Sequence, residues 1–195
     1  SLAAYAVEFS EQMTAMLEKY LADTGLSFGA LKNNADRLTT LQSYVYLNVY
    51  NNMRVADCSG IFYFFNTTVN DDLTQKHYNG LYLKVANLFS ENAACNKVVL
   101  YRGAAAVARE QNINLHSTWQ NEMVAGVFTQ IDELAETRVE SLPKAYLLTN
   151  VYELTDTWER ARFLCVPILD GEGNTIGVCG FEISESYFKQ NFAQP

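Results

Sequence analysis

Apolar residues recur at steps of three and four in the first 56 residues. The first such stripe consists of Leu2, Tyr5, Phe9, Met13, Met16 and Tyr20. This spacing predicts an amphipathic helix over residues 2–22, which ends near Gly25 because glycine readily adopts the left-handed conformation. A similar pattern predicts a second helix over residues 34–56. The first stripe would either pack on the chain's own core or form the seam of a dimer.

The pattern changes after residue 57 to runs of aromatic and β-branched residues. Residues 61–65 and 97–101 predict two strands, the first covered on both faces. The polar residues 67–79 predict a loop, and residues 81–89 are consistent with either a strand or a short helix. A sheet therefore begins after the two helices.

The last part of the chain combines helical patterns with three strands. Residues 103–110 predict a short helix, and a longer helix is predicted from Ser117 as its N-cap. Its apolar stripe would be Trp119, Met123, Val127, Ile131 and Leu134. Alternation with a period of two then predicts strands over residues 145–150, 159–169 and 175–184. We expect an α+β fold, with a helical region at 1–57 and a sheet region at 58–195 that form one structural unit.

Composition narrows the range of functions. The 195 residues are 49% hydrophobic and 13% aromatic, which is enough for a large core without a metal or disulfide. The net charge of -8, with basic residues that are not clustered, argues against binding to nucleic acid. No apolar run approaches the length of a membrane span, so we expect neither a spanning segment nor a signal peptide in this sequence.

Motifs for catalysis and for metal binding are absent from the sequence. There is no Gly-x-Ser-x-Gly elbow, no phosphate-binding glycine loop and no Cys-x-x-Cys pair. The two histidines, His77 and His116, are too far apart to be ligands on one helix. We therefore predict a non-catalytic domain with no metal and no cofactor.

The final two predicted strands form a hairpin around Gly173. If Asp170 faces Asn174, chemically similar residues lie opposite one another along the hairpin. This register pairs Ile168 with Ile176, Val166 with Val178, Cys165 with Cys179, Phe163 with Phe181 and Arg162 with Glu182. The cysteines would be either two buried thiols or a cross-strand disulfide. Arg162 and Glu182 would form a surface ion pair or hold a charged ligand group.

This hairpin resembles the closing hairpin of Cache domains, the PAS-like sensor modules of bacterial receptors. The resemblance rests on Val-Pro-Ile-Leu-Asp at 166–170 and Gly-Asn-Thr-Ile-Gly-Val-Cys-Gly-Phe-Glu-Ile-Ser at 173–184. It implies a single PAS-like domain with an antiparallel sheet of about five strands, a long N-terminal helix and helices packed on the sheet. Glu182 stands where the family usually has Asp, and the Arg-x-Trp-Tyr motif of amino-acid-binding members is missing. An amino-acid ligand is therefore not indicated.

The resemblance implies an extracytoplasmic domain of a membrane receptor, such as a histidine kinase, a chemoreceptor or a cyclic-dinucleotide enzyme. Such a domain would bind a small molecule, could dimerise through its N-terminal helix and would meet the membrane only through flanking segments. Candidate ligand-binding residues are Tyr101, Arg102, Trp119, Tyr146, Tyr152, Trp158, Arg160, Arg162 and Glu182. The alternative is a cytoplasmic PAS-like dimerisation module without a small ligand.

Overall fold

Two long helices precede the sheet. The computed structural model describes residues 1–72, 74–86, 97–124, 147–148, 152–154 and 159–185. Helix α1 spans Leu2–Thr24 and ends at Gly25, whose φ of 69° is left-handed, as predicted. A short 3-10 helix, Phe28–Leu31, leads into α2, Ala35–Ala56, and α3 spans Ala105–Gln111. None of the described helices has both the length and the apolar character needed to cross a membrane.

In the described part of the chain, nine strands form a mixed sheet. They are β1 (Gly60–Phe65), β2 (His77–Val85), β3 (Val98–Arg102), β4 (Asn114–Gln120), β5 (Met123–Val124), β6 (Leu147–Leu148), β7 (Tyr152–Leu154), β8 (Glu159–Leu169) and β9 (Thr175–Ser184). The main order is β4-β3-β2-β1-β9-β8-β6, with β5 paired to β2 and β7 paired to β8. All described pairs are antiparallel except β3 and β4, which α3 connects as a parallel crossover. The predicted α+β class is confirmed, with more strands than the expected five.

Two sequence-based expectations were wrong in the middle of the chain. The predicted loop at 67–79 overlaps the start of β2 at His77. The helix predicted from Ser117 is instead β4 and β5 as far as residue 124, and residues 125–134 lie outside the described residues. Its apolar spacing suited a helix, but pairing with β3 and β2 decided the local conformation.

A β-bulge changes the register of the β8–β9 hairpin. At the turn the predicted register holds, since the amide of Asp170 donates to the carbonyl of Asn174 at 2.9 Å and Leu169 faces Thr175. Between Ile168 and Leu169 the pairing shifts by one residue. Because strand side chains alternate between faces, the rest of β8 has different partners from those predicted.

The shift separates both of the predicted chemical pairs. Cys165 and Cys179 belong to core clusters on opposite faces of the sheet, and both are free thiols. Glu182 lies opposite Phe163 and not opposite Arg162. The disulfide and the Arg162–Glu182 ion pair are therefore excluded.

One face of the sheet packs against α1 and α2. Phe9 and Met13 of α1 are completely buried, together with Val45 of α2 and Phe181 of β9. The stripe on α1 therefore packs on the chain's own core, which was one of its two predicted roles. We call this side of the sheet the helix face.

The opposite side of the sheet is rich in aromatic side chains. This aromatic face is formed by Phe62, Phe64, Tyr78, Tyr82, Tyr101, Met123, Ala161, Phe163, Cys165 and Val178, all of them buried. Phe62 packs against both Tyr82 and Phe163, with ring centres 5.4 and 6.2 Å away. The sheet thus separates two cores of different composition.

Two hydroxyl groups fix α1 along β8. Ser10 donates to the carbonyl of Pro167 at 2.6 Å, and Thr14 donates to the carbonyl of Leu169 at 2.7 Å. The described partner strands pair with this outer edge of β8 only as far as Cys165. Four residues of helix rise about 6 Å, close to the rise of two strand residues, so both bonds form together. Helix α1 therefore takes the place of a partner strand at this edge.

Gly180 is required by a close approach of two strands. A Cβ atom at this position would overlap the carbonyl oxygen of Leu164 in β8. We expect Gly180→Ala to lower the free energy of unfolding by about 2 kcal/mol or more, because backbone must move to make room. Gly29→Ala is the matched control, since a Cβ at Gly29 would meet nothing within 4 Å. Equal urea midpoints for the two variants would contradict this explanation of Gly180.

Candidate functional site

A buried ion pair lies on the aromatic face. The ammonium of Lys84 lies 2.5 Å from Oε1 of Glu182, and the two side chains are 4% and 1% exposed. The hydroxyl of Tyr82 donates to Oε1 at 2.6 Å, and that of Ser59 donates to Oε2 at 2.7 Å. Each oxygen of the carboxylate thus accepts at least one hydrogen bond, as a buried charge requires.

Gly60 allows the two charges to meet across a strand. Lys84 is in β2 and Glu182 is in β9, and Gly60 of the intervening β1 is the register partner of both. Neighbouring strands are about 4.8 Å apart, so the backbones of β2 and β9 are separated by about twice that distance. Since glycine has no side chain, the long side chains of Lys84 and Glu182 reach each other over β1. A Cβ at Gly60 would be 3.1 Å from both Cβ and Oε2 of Glu182.

Aromatic rings surround the ammonium of Lys84. It lies 5.4 Å from the ring centre of Tyr82 and 5.0 Å from that of Tyr101. These two rings meet edge to face, with their centres 4.9 Å apart. The negative faces of aromatic rings attract a cation, so the rings add to the stabilisation provided by Glu182.

A β-bulge in β3 brings a second cation to the same region. Tyr82 pairs with Arg102 and Leu83 pairs with Leu100, which leaves Tyr101 as the extra residue. The guanidinium of Arg102 lies 4.0 Å from the ring centre of Tyr101. It also donates to the carbonyls of Tyr101 and Thr118, at 2.8 and 3.0 Å. In a regular strand, the adjacent residues 101 and 102 would have pointed to opposite faces.

His116 completes the described part of the site. Its ring meets Tyr101 edge to face, with ring centres 5.0 Å apart. Its Nδ1 accepts the backbone N–H of Thr118 at 3.1 Å. Within the described ranges, no three His, Cys, Asp or Glu side chains are grouped closely enough to hold a metal ion. The charges, aromatic rings and hydrogen-bonding groups gathered here are of the kinds that line small-ligand sites.

Opposing effects set the pKa of Glu182. Burial raises it, whereas the charge of Lys84 and the hydrogen bonds from Lys84, Tyr82 and Ser59 lower it. The lowering effects prevail, so the pKa of Glu182 is below its ordinary value and the group is a carboxylate at neutral pH.

Three of the nine predicted ligand-binding residues lie together. Tyr101 and Arg102 are adjacent on the aromatic face, and Glu182 is linked to Tyr101 through Lys84. Trp119 is instead packed against the core of the helix face, where its indole donates to the carbonyl of Gly103 at 2.9 Å. Trp119 therefore lies apart from the ion pair.

The other predicted residues lie elsewhere or outside the described part of the chain. Arg160 and Arg162 are exposed near the start of β8. The backbone of Tyr152 begins β7, whereas Tyr146 and Trp158 are outside the described residues. Their role in ligand binding stays a prediction.

Sequence reasoning missed Lys84 and Tyr82, which are central to the site. Every second position from 78 to 84 is occupied by Tyr78, Gly80, Tyr82 and Lys84. Positions two apart share one face of a strand, and this spacing was the signal that could have placed Tyr82 and Lys84 together. Ser59 and Gly60 gave no comparable signal, because their role depends on the pairing of β1 with β9.

Comparison with known proteins gives one distant structural similarity. No protein-family model matches the chain, and no curated protein sequence matches it. A solved structure, the sensory domain of the Campylobacter jejuni chemoreceptor Tlp3 (CcmL), is similar at 11% identity with a TM-score of 0.37. The alignment covers 96% of this chain and 62% of that one, so the chain spans less than two thirds of its length. A similarity at this level does not define the function of the chain.

Removal of one member of the ion pair should be more damaging than removal of both. We expect Lys84→Met to lower the free energy of unfolding by about 3–5 kcal/mol, because a buried carboxylate would lose its partner. The double variant Lys84→Met/Glu182→Leu should recover part of that loss, since no uncompensated charge remains. Urea unfolding at neutral pH measures both. A double variant at least as unstable as the single variant would contradict this account of the pair.

The ion pair should also make stability depend on pH. The folded state keeps Glu182 deprotonated at pH values where the unfolded chain, with an ordinary glutamate pKa of about 4.5, binds a proton. The contribution of Glu182 to stability is therefore complete above that pH and is lost as the pH falls through the lower pKa of the folded state. As the pH is lowered below 4.5, we expect the free energy of unfolding of Glu182→Gln to fall less steeply than that of the wild type. Glu172→Gln, on the exposed turn, is the control and should leave the slope unchanged.

Proposed function

We propose that this domain is the extracytoplasmic small-molecule-sensing part of a bacterial membrane signal-transduction receptor. The hairpin formed by β8 and β9 supports the proposal, because its sequence resembles the closing hairpin of Cache domains. Glycine is needed at position 180 of this motif, because a side chain there would prevent the close approach of β9 to β8. The domain itself is non-catalytic in this proposal.

The observation that carries the proposal is the Lys84–Glu182 pair among aromatic side chains. Two charges in a protein interior contribute little to net stability and are often replaceable by apolar residues. An aromatic enclosure with a few fixed polar groups is, however, how proteins hold and orient small ligands. We place the ligand on the aromatic face, where Lys84, Glu182, Tyr101 and Arg102 provide both signs of charge and ring surface.

Ligand binding would alter the balance between the sheet and its helices. A charged ligand group that contacts Lys84 or Glu182 would compete with their ion pair. Glu182 is in β9, which is paired with β8, and β8 is hydrogen-bonded to Ser10 and Thr14 of α1. The ligand would thus favour one arrangement of the hairpin and helix over another, and α1 would respond.

A thermal-shift screen of metabolites tests the proposal. A specific ligand at 100 times its dissociation constant should add about 2.7 kcal/mol to the stability of the domain. We expect Tyr101→Phe and Arg102→Met to reduce this shift at the same ligand concentration. Arg160→Met, which changes an exposed arginine outside the site, should leave the shift intact.

Two outcomes would contradict the proposed sensor. In one, no metabolite class shifts the unfolding midpoint, which would favour a cytoplasmic PAS-like interaction module. In the other, a ligand raises the unfolding midpoints of Tyr101→Phe and Arg102→Met as much as that of the wild type, which would mean that its site is not on the aromatic face.

A further inference from the structure

A concave surface lies between α2 and the turn that joins α3 to β4. Its volume is about 590 Å³, within the range of small-ligand sites. It is lined by Tyr46, Leu47, Tyr50, Lys97, Val98, Gln111, Asn112, Ile113 and Asn114. We call it the α2 groove. None of its lining residues belongs to the Lys84–Glu182 site.

Tyr46 presents an uncommitted polar group to the α2 groove. The residue is only 4% exposed, yet its hydroxyl has no hydrogen-bond partner among the described residues. Its ring stacks on that of Tyr50 at a centre-to-centre distance of 6.2 Å, which fixes its position. Burial and the neighbouring Tyr50 raise the pKa of Tyr46, so its phenol remains a hydrogen-bond donor. The hydroxyl oxygen is not one of the fully buried polar atoms, so a ligand in the groove can reach it and accept its hydrogen.

Further hydrogen-bond donors line the same groove. The side-chain amides of Gln111, Asn112 and Asn114 make no hydrogen bond within the described part of the chain. Lys97 is the single charged residue among the lining residues of the groove, and it too makes no ion pair there. These groups can all donate hydrogen bonds, and their net charge is positive. A ligand group with acceptor oxygens and a negative charge fits them.

The groove also has an apolar wall. Leu47 of α2 is 63% exposed, the most exposed of the large hydrophobic residues of the described chain. Val98 and Ile113 line the groove with it. An apolar ligand body would cover Leu47 and remove its surface from water, which favours binding.

We propose that the α2 groove binds a small amphiphilic carboxylic acid. Its carboxylate accepts hydrogen bonds from Lys97, Tyr46 and the amides of the turn, and its ring or branched hydrocarbon body lies against Leu47. This site lies beside α2 and is independent of the sensing function proposed for the aromatic face.

Titration calorimetry of the whole domain with benzoate tests this proposal. We expect saturable binding in the millimolar range, and much weaker binding of the neutral analogue benzamide. Lys97→Gln should weaken benzoate binding roughly ten-fold or more, since a charge-assisted hydrogen bond is lost. Tyr46→Phe should weaken it several-fold, because the removed hydroxyl has no other role in the described structure.

Matched variants keep the test specific. Lys32→Gln and Tyr44→Phe change a lysine and a tyrosine outside the groove and should bind benzoate as the wild type does. Circular dichroism melting of each variant identifies any that is unfolded. Leu47→Glu changes an exposed position and provides a second test, because its carboxylate would repel benzoate and weaken binding. Absence of saturable binding by the folded wild type would overturn the proposal. Binding that is equal for benzamide, or unchanged in Lys97→Gln and Leu47→Glu, would overturn it too.

Discussion

Strand β1 is buried on both of its faces, and its register with β2 and β9 decides which side chains meet. All six residues of β1 are buried. A slip of one residue would exchange the two faces, turning Phe62 and Phe64 toward the helices and Tyr63 and Phe65 away from them. The same register aligns Gly60 with Lys84 and Glu182, so the two cores and the buried ion pair depend on a single set of backbone pairings.

Glycine at position 60 links this central pairing to the electrostatics of the sheet. The side chains of residues two strands apart are normally screened from each other by the strand between them. At Gly60 the gap lets a cation from β2 contact an anion from β9, and the hydroxyls of Ser59 and Tyr82 complete the shell of Glu182. The cost of burying two charges is therefore offset locally, by residues that the same three strands provide.

The sequence was sufficient for the elements whose side-chain pattern is regular and local. It predicted α1, α2, β1 and the β8–β9 hairpin, because helical spacing and turn residues fix these segments. It failed where pairing between distant segments prevails, as in β4, and at bulges. One bulge displaced the expected partner of Glu182, and another brought Tyr101 beside Arg102. Lys84 was missed because its partner is 98 residues away in the chain.

The contact between α1 and β8 has a consequence for where the domain can be shortened. Ser10 and Thr14 satisfy the carbonyls of Pro167 and Leu169 at an edge that the described strands leave unpaired. A shortened protein that begins after Gly25 would expose these acceptors together with the apolar surface beneath α1. Such an exposed edge can pair with strands from other molecules. Pro167 would hinder this pairing only in part, because it removes just one backbone N–H donor from the edge. Removal of the first helix would therefore favour self-association of the sheet, so we expect a shortened form of the domain to need α1.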